Sequence, residues 1–140
     1  MNNENYDERQ KLVNYRLGFH ALIIVYVLLI VNALIKSTGD FTWADPVSEM
    51  MILITLPGIY YITRSIFNDA YMGKRDTLKK NVLTFLFLAL IFVLASVFVY
   101  DEPVVDGQLT STAAPLIAAG FFIIISILHG VKLAMDKRSK

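Results

Sequence analysis

The amino-acid sequence predicts an all-α integral membrane protein, a four-helix bundle made of two antiparallel helical hairpins. Of its 140 residues, 56% are hydrophobic and 18% are charged, whereas a soluble domain has about 45–50% and about 25%. The apolar residues form four blocks, at residues 17–35, 47–67, 82–100 and 113–131. Each block is long enough to cross a hydrocarbon core of roughly 30 Å as a helix. Because unpaired backbone amides are costly in lipid, we expect each block to be one continuous helix.

The polar segments between the blocks complete the predicted division of the chain. Residues 1–16 form an amphipathic head, residues 68–80 a basic loop and residues 132–140 a basic tail. The second helix is expected to extend to about residue 72, with Gly73 ending it just past the membrane. At its other end, Asp45 followed by Pro46 is typical of a helix start.

The distribution of Lys and Arg predicts which way the helices point. Of the 13 basic residues, all but Lys36 lie in the head, in the basic loop and its approach, or in the tail. The other two loops, around residues 36–46 and 101–111, are acidic. Because Lys and Arg stay on the cytoplasmic side of short loops, both termini are predicted to be cytoplasmic. We call the basic end of the helices the inner end and the opposite end the outer end.

Composition and motifs exclude several classes of function. A net charge of +1 gives no electrostatic reason to expect nucleic acid as a partner. The absence of Cys excludes disulfides and thiolate metal sites. No zinc-peptidase or nucleophile motif occurs, so we expect no enzyme, no catalytic residue, no bound metal and no cofactor.

Four polar side chains, one on each helix, are predicted to lie at similar depth near the inner end: His20, Arg64, Thr84 and His129. Three interpretations of this inner polar layer stay open. The favoured one has Arg64 reaching the lipid phosphates and the histidines making ordinary hydrogen bonds. The second is a proton-responsive site, since His titrates near neutral pH. The third, a metal site at His20 and His129, is disfavoured because no nearby carboxylate or Cys completes the coordination shell.

Two further patterns concern helix packing. Pro57 and Gly58 lie midway along helix 2, where they are a candidate hinge, although a static bend is favoured because both residues are frequent in membrane helices. Small residues recur on one ridge of helix 4 and allow close approach of another helix. They are Ala114, Ala118, Ser126 and Gly130. We expect this ridge to pack within the chain, with a homodimer as the alternative.

Polar residues near the outer end receive less specific interpretations. Asp101, Glu102 and Asp106 are expected to form a solvated turn rather than a binding site, because Pro103 and Gly107 are typical turn residues. Isolated polar groups in the apolar blocks, including Asn32 and Ser126, are expected to hold helices together.

The head combines a predicted helix start with a candidate docking site. Asp7 can cap the helix, and Gln10 three residues later completes a capping box. Capping is the favoured role of this segment. The alternative is that Asp7, Glu8, Arg9 and Gln10 dock a protein, with Glu8 and Arg9 facing a cytosolic partner.

Two segments also resemble a known family. Asn5-Tyr6-Asp7-Glu8-Arg9-Gln10 resembles the DERQ signature of a family of small bacterial multi-pass membrane proteins of unknown function. The residues from Gly58 to Ile66, followed by Ala70-Tyr71, are similar to that family's second-helix pattern. The resemblance implies a bacterial cell membrane and, because such genes often lie beside helix-turn-helix regulators, a membrane partner in a regulatory pair. It implies no catalytic residues.

Two functions follow from these patterns as predictions. The first is a non-enzymatic component of the plasma membrane that binds or regulates a protein partner at the cytoplasmic face, through its head and basic loop. The alternative is a small transporter or an accessory subunit of a transport complex, which would use helix 2 and the inner polar layer. In both cases the lipid bilayer surrounds the helices.

Overall fold

A computed structural model describes residues 7–38, 42–71, 78–98 and 102–138. Its helices are α1 (Glu8–Ser37), α2 (Pro46–Phe67), α3 (Leu78–Val97) and α4 (Ala114–Arg138), the last preceded by a 3-10 turn at Ser111–Ala113. Strands β1 (Val104–Val105) and β2 (Gln108–Leu109) lie between α3 and α4. Within the described residues, four helices are long and apolar enough to cross a membrane. The predicted all-α fold is therefore confirmed.

Helices α2 and α4 lie at the centre of the packing. Helix α3 packs on α4, α4 packs on α2, and α2 packs on α1. The loops that precede α2 and α4 both lie at the outer end. Both helices therefore run from the outer end to the inner end, where their last turns meet. Most large apolar side chains of α1 and α3 stay exposed. Such a surface is one that lipid covers in a membrane.

Helix α1 begins at the predicted capping box. The Arg9 backbone N–H donates to Asp7 Oδ1 at 2.6 Å, and the Asp7 N–H donates to Gln10 Oε1 at 3.2 Å. The helix then runs for 30 residues, which is about 45 Å. This length exceeds the hydrocarbon thickness. Because α1 starts at Glu8 and the apolar block starts at residue 17, the first turns of the helix extend past the inner end of that block.

Helix α2 ends earlier than predicted, and the expected extension to about residue 72 is wrong. The helix ends at Phe67, and Asp69 takes a left-handed backbone conformation with φ of 56°. The Asp69 N–H donates to Ile66 O at 3.2 Å, and the Ala70 N–H donates to Ser65 O at 2.9 Å. These are the two bonds of a Schellman helix end, here formed with Asp in the place that Gly usually takes. Gly73 lies outside the described residues.

The outer connections bind the two helical hairpins to each other. Strands β1 and β2 pair in antiparallel fashion around a turn at Asp106 and Gly107, whose φ angles are 49° and 78°. Two positive φ angles define the type I′ turn that suits a short hairpin. Beside it, the Leu109 N–H donates to Trp43 O at 3.1 Å, and the Asp45 N–H donates to Leu109 O at 2.6 Å. Glu102 and Asp106 are exposed, as expected of a solvated turn, whereas Asp101 lies outside the described residues.

A buried carboxylate reinforces this outer end. Glu49, in the first turn of α2, is 7% exposed and pairs with Lys36 Nζ at 2.5 Å. Asn32 Nδ2 donates to the other oxygen of Glu49 at 2.5 Å, and Trp43 Nε1 donates to Asn32 Oδ1 at 3.0 Å. Asn32 therefore joins α1 to α2, as predicted, but as part of a network. The same network accounts for Lys36, the one basic residue at the outer end.

The centre of α2 packs closely on α4. The helix continues through Pro57, which is buried. A Cβ atom added at Gly58 would lie 3.3 Å from the Phe121 ring, so the glycine allows this ring to approach the backbone of α2. Pro57 and Gly58 thus lie in a helix contact, and their role as a hinge stays a prediction.

The small-residue ridge of α4 packs partly within the chain. Ala118 and Ser126 are buried, and Ser126 Oγ donates to Val82 O of α3 at 3.2 Å. The internal packing role that we expected is therefore present at these two positions. The homodimer stays a prediction.

Candidate functional site

The inner ends of all four helices surround a pocket of about 180 Å³, which we call the inner pocket. Helix α1 contributes its first turns, α2 its last turn and the residues after it, α3 its first residue, and α4 its last two turns. The lining residues are Gln10, Ile66, Asp69, Tyr71, Leu78, Lys132 and Asp136.

Side-chain amides attach the start of α1 to the end of α2. Gln10 Nε2 donates to Asp69 O at 2.7 Å, and Asn14 Nδ2 donates to Ala70 O at 2.8 Å. Ser65 Oγ in turn donates to Asn14 Oδ1 at 3.2 Å. Gln10 thus has two roles, because its oxygen completes the capping box while its nitrogen holds the residues after α2. The first turns of α1 are fixed on the protein beyond the apolar block.

An ion pair attaches the end of α4 to the same segment. Lys132 Nζ lies 2.8 Å from Asp69 Oδ1 and 3.2 Å from Asp136 Oδ1. The Lys132 side chain is 15% exposed, whereas that of Asp69 is 74% exposed. Because water screens Asp69, each pair is expected to contribute at most about 1 kcal/mol. Asp69 therefore contacts α1 through its backbone carbonyl and α4 through its side-chain carboxylate.

His129 lies fully buried beside this pocket, in a space enclosed by aromatic rings. Its Nδ1 is 2.8 Å from Ile125 O, and its Nε2 has no hydrogen-bond partner among the described residues. The ring of Tyr71 meets the imidazole edge-on at a centroid distance of 4.9 Å, and the ring of Phe85 lies at 5.3 Å. Tyr71 also lines the inner pocket, so it contacts both the pocket and the histidine.

The four side chains of the predicted inner polar layer have separate environments. His20 Nδ1 faces Tyr60 OH at 3.3 Å, Arg64 is exposed, and Thr84 Oγ1 donates to Lys80 O of its own helix at 3.0 Å. In the part of the chain that the structure describes, no hydrogen bond joins any two of these four residues. Of the four, His129 is the one that is enclosed.

The predicted docking residues divide into two pairs. Asp7 and Gln10 are used in the capping box, and Gln10 also contacts Asp69. Glu8 and Arg9 are exposed. A docking role is therefore available to Glu8 and Arg9, on a helix start that Asp7 and Gln10 hold in place.

Sequence reasoning missed the centre of this site, although signals for parts of it exist. Asn68 and Asp69 directly follow an apolar run, and both residue types tolerate the left-handed conformation that ends a helix. Lys132 and Asp136 are four residues apart, which places them on one helix face. Nothing in the sequence indicates that Asp69 and Lys132 meet, because that contact depends on how α2 and α4 are rotated about their axes.

Comparison with known proteins gives one match. The family of unknown function DUF6773 matches residues 1–140. No curated protein and no solved structure matches the chain. The match agrees with the expected membership in an uncharacterised family, whereas the bacterial origin and the DERQ signature stay predictions.

Proposed function

The chain belongs to the DUF6773 family of unknown function, and from that premise we propose that it is a non-enzymatic membrane component that binds a protein partner at its inner face. In this proposal the inner face is cytoplasmic and the membrane is a bacterial cell membrane. The positive charge of the inner end supports this orientation.

The observation that carries the proposal is the fixed start of α1. Gln10 and Asn14 donate hydrogen bonds to backbone carbonyls of the residues after α2, so the first turns of α1 are held in one position. A surface that is already ordered loses less conformational entropy when it binds a partner. Glu8 and Arg9 extend from this ordered segment into solvent, where adjacent charges of opposite sign can select a complementary partner.

Photo-crosslinking in cells tests this proposal. A photo-reactive amino acid at Leu12, which is 59% exposed near the inner end, is expected to give a discrete adduct with a protein. The same amino acid at Phe98, which is 75% exposed at the outer end of α3, serves as the control and is expected to give none.

A charge swap then assigns the contact to the head. The double substitution Glu8→Arg and Arg9→Glu preserves net charge and leaves Asp7 and Gln10 in place. We expect it to reduce the Leu12 adduct by roughly tenfold or more, as the loss of a strong interface contact does. An adduct that the swap leaves unchanged, or the absence of any adduct specific to Leu12, would contradict the proposal.

A small transporter or an accessory subunit of a transport complex is the second candidate, and the inner pocket is the observation that favours it. A pocket of about 180 Å³ between helices can hold a small solute. Solute flux in proteoliposomes that contain the purified chain alone would support transport. Flux equal to that of protein-free vesicles, together with the head-dependent adduct, would favour partner binding.

A further inference from the structure

His129 has a defined proton position. Its Nδ1 lies 2.8 Å from the carbonyl oxygen of Ile125, and a carbonyl oxygen can only accept a hydrogen bond. Nδ1 must therefore carry the proton. In the neutral imidazole, Nε2 is then an unprotonated acceptor, and it lies fully buried without a partner among the described residues.

The surroundings of His129 suit a neutral ring. Helix α3 contributes the ring of Phe85, and the segment after α2 contributes the ring of Tyr71. Among the described residues, the charged groups that line the adjacent inner pocket are Lys132 and Asp136 on α4 and Asp69 after α2, and Lys132 pairs with both carboxylates. A second N–H at Nε2 would be a buried donor with no acceptor among the described residues, an arrangement that native structures avoid.

We propose that His129 makes the inner end of the helices pH-responsive: the neutral imidazole packs against Tyr71 and keeps the residues after α2 close to α4, and protonation of Nε2 widens the inner pocket between them. A hydronium ion donates the proton to the Nε2 lone pair, so that one O–H bond breaks, one N–H bond forms and a water molecule is left. Opening separates the residues after α2 from α4, which gives the new N–H access to water. Because Gln10 and Asn14 attach α1 to those residues, the start of α1 moves with them.

His20 provides a matched control. The chain contains two His residues, and both lie near the inner end. His20 is exposed, with Tyr60 OH 3.3 Å from its Nδ1. Among the described residues, His20 is not one of those that line the inner pocket, so its replacement is not expected to change the pocket.

Distance measurement between spin labels tests the proposal on the full chain. The sequence has no Cys, so Glu8→Cys and Lys137→Cys, both at exposed positions, allow specific labelling of the start of α1 and the end of α4. In nanodiscs, the pH is lowered from about 7.5 to about 4.5, a range that reaches below the normal titration of His because a buried ring favours its neutral form. We expect the mean distance to increase by roughly 2 Å, the scale of a helix shift.

The two His variants determine which residue is responsible. His129→Phe keeps an aromatic ring but cannot be protonated, and we expect its distance to stay at the closed value at both pH values. His20→Gln is expected to respond like the wild type. A response that persists in His129→Phe, a response lost in His20→Gln, or no response in the wild type would overturn the proposal.

A measurement on intact His129 covers the case in which His129→Phe does not fold. In the His20→Gln background, ¹⁵N NMR of labelled His reports His129 alone. At pH 7.5 the signals should show a protonated Nδ1 and an unprotonated Nε2, and both nitrogens should become protonated over the pH range in which the distance increases. The opposite tautomer, or protonation without a distance change, would refute the mechanism.

Discussion

The outer and inner ends of the helices are both closed by polar contacts, but the contacts differ in kind. At the outer end, the backbone N–H and carbonyl of Leu109 join the two helical hairpins, and a buried Glu49 forms an ion pair with Lys36 and accepts a hydrogen bond from Asn32. At the inner end, side chains make the joins, the central Asp69 is mostly exposed, and a pocket lies between the helices. Backbone pairing and buried charge fix a structure more firmly than exposed ion pairs do. We infer that the outer end stabilises the fold and that conformational change is confined to the inner end.

The contacts that Glu49 makes with Lys36 and Asn32 form the outer network, and breaking this network should give the largest loss of stability. Glu49→Ala leaves Lys36 without its partner and removes the acceptor for Asn32 Nδ2. Removing one member of a buried pair costs about 3–5 kcal/mol, and we expect about 2 kcal/mol here because Lys36 is 40% exposed. Thermal unfolding in detergent measures the effect.

Glu102→Ala is the matched control for this measurement, since Glu102 is an exposed acidic residue at the same end of the molecule. Its side chain is not needed for the hydrogen bonds that its backbone carbonyl accepts from Thr110 and Thr112. If the two variants unfold at the same temperature, the outer network does not stabilise the fold and the contrast between the two ends fails.

The centre of α2, between the two ends, should tolerate change less than the surface of α1. Gly58→Leu forces a side chain into the space of the Phe121 ring, which lies 3.3 Å from an added Cβ. Overpacking of this kind costs about 1–3 kcal/mol. Gly18→Leu is the control, because an added Cβ there meets nothing within 4 Å. Equal stability of the two variants, measured by thermal unfolding, would show that α2 yields at Pro57 and Gly58 and would support the hinge.

The features that could be predicted from the sequence are those that a few neighbouring residues determine. Four apolar blocks predict four helices, and the capping box at Asp7 and Gln10 predicts where α1 starts. The hairpin at Asp106 and Gly107 was also within reach, since the dipeptide Asp-Gly is a strong signal for a type I′ turn.

The candidate site could not be predicted in the same way, because its residues meet across helices. The contact of Lys36 with Glu49 and that of Asp69 with Lys132 depend on how each helix is rotated about its axis. A polar face normally reveals this rotation in a soluble helix. Residues 21–31 of α1 are apolar on every side, so the pattern does not indicate which side faces α2. The enclosure of His129, in contrast to the exposure of His20, requires the packed structure for the same reason.

Substitution of Asp69 should give the smallest change in stability, and it separates the two roles of this residue. Asp69→Gly relieves a left-handed conformation that costs a non-glycine residue about 1 kcal/mol. The same change removes the carboxylate that pairs with Lys132 at 2.8 Å, an exposed contact that contributes at most about 1 kcal/mol. The two effects have opposite signs, so the free energy of unfolding should change by less than about 0.5 kcal/mol. Asp69→Asn loses the charge while it keeps a side chain that tolerates this conformation, so it should be the less stable of the two. A loss above about 2 kcal/mol in Asp69→Gly would show that the ion pair is as important as the buried network around Glu49, and the inner end would then be as firmly closed as the outer end.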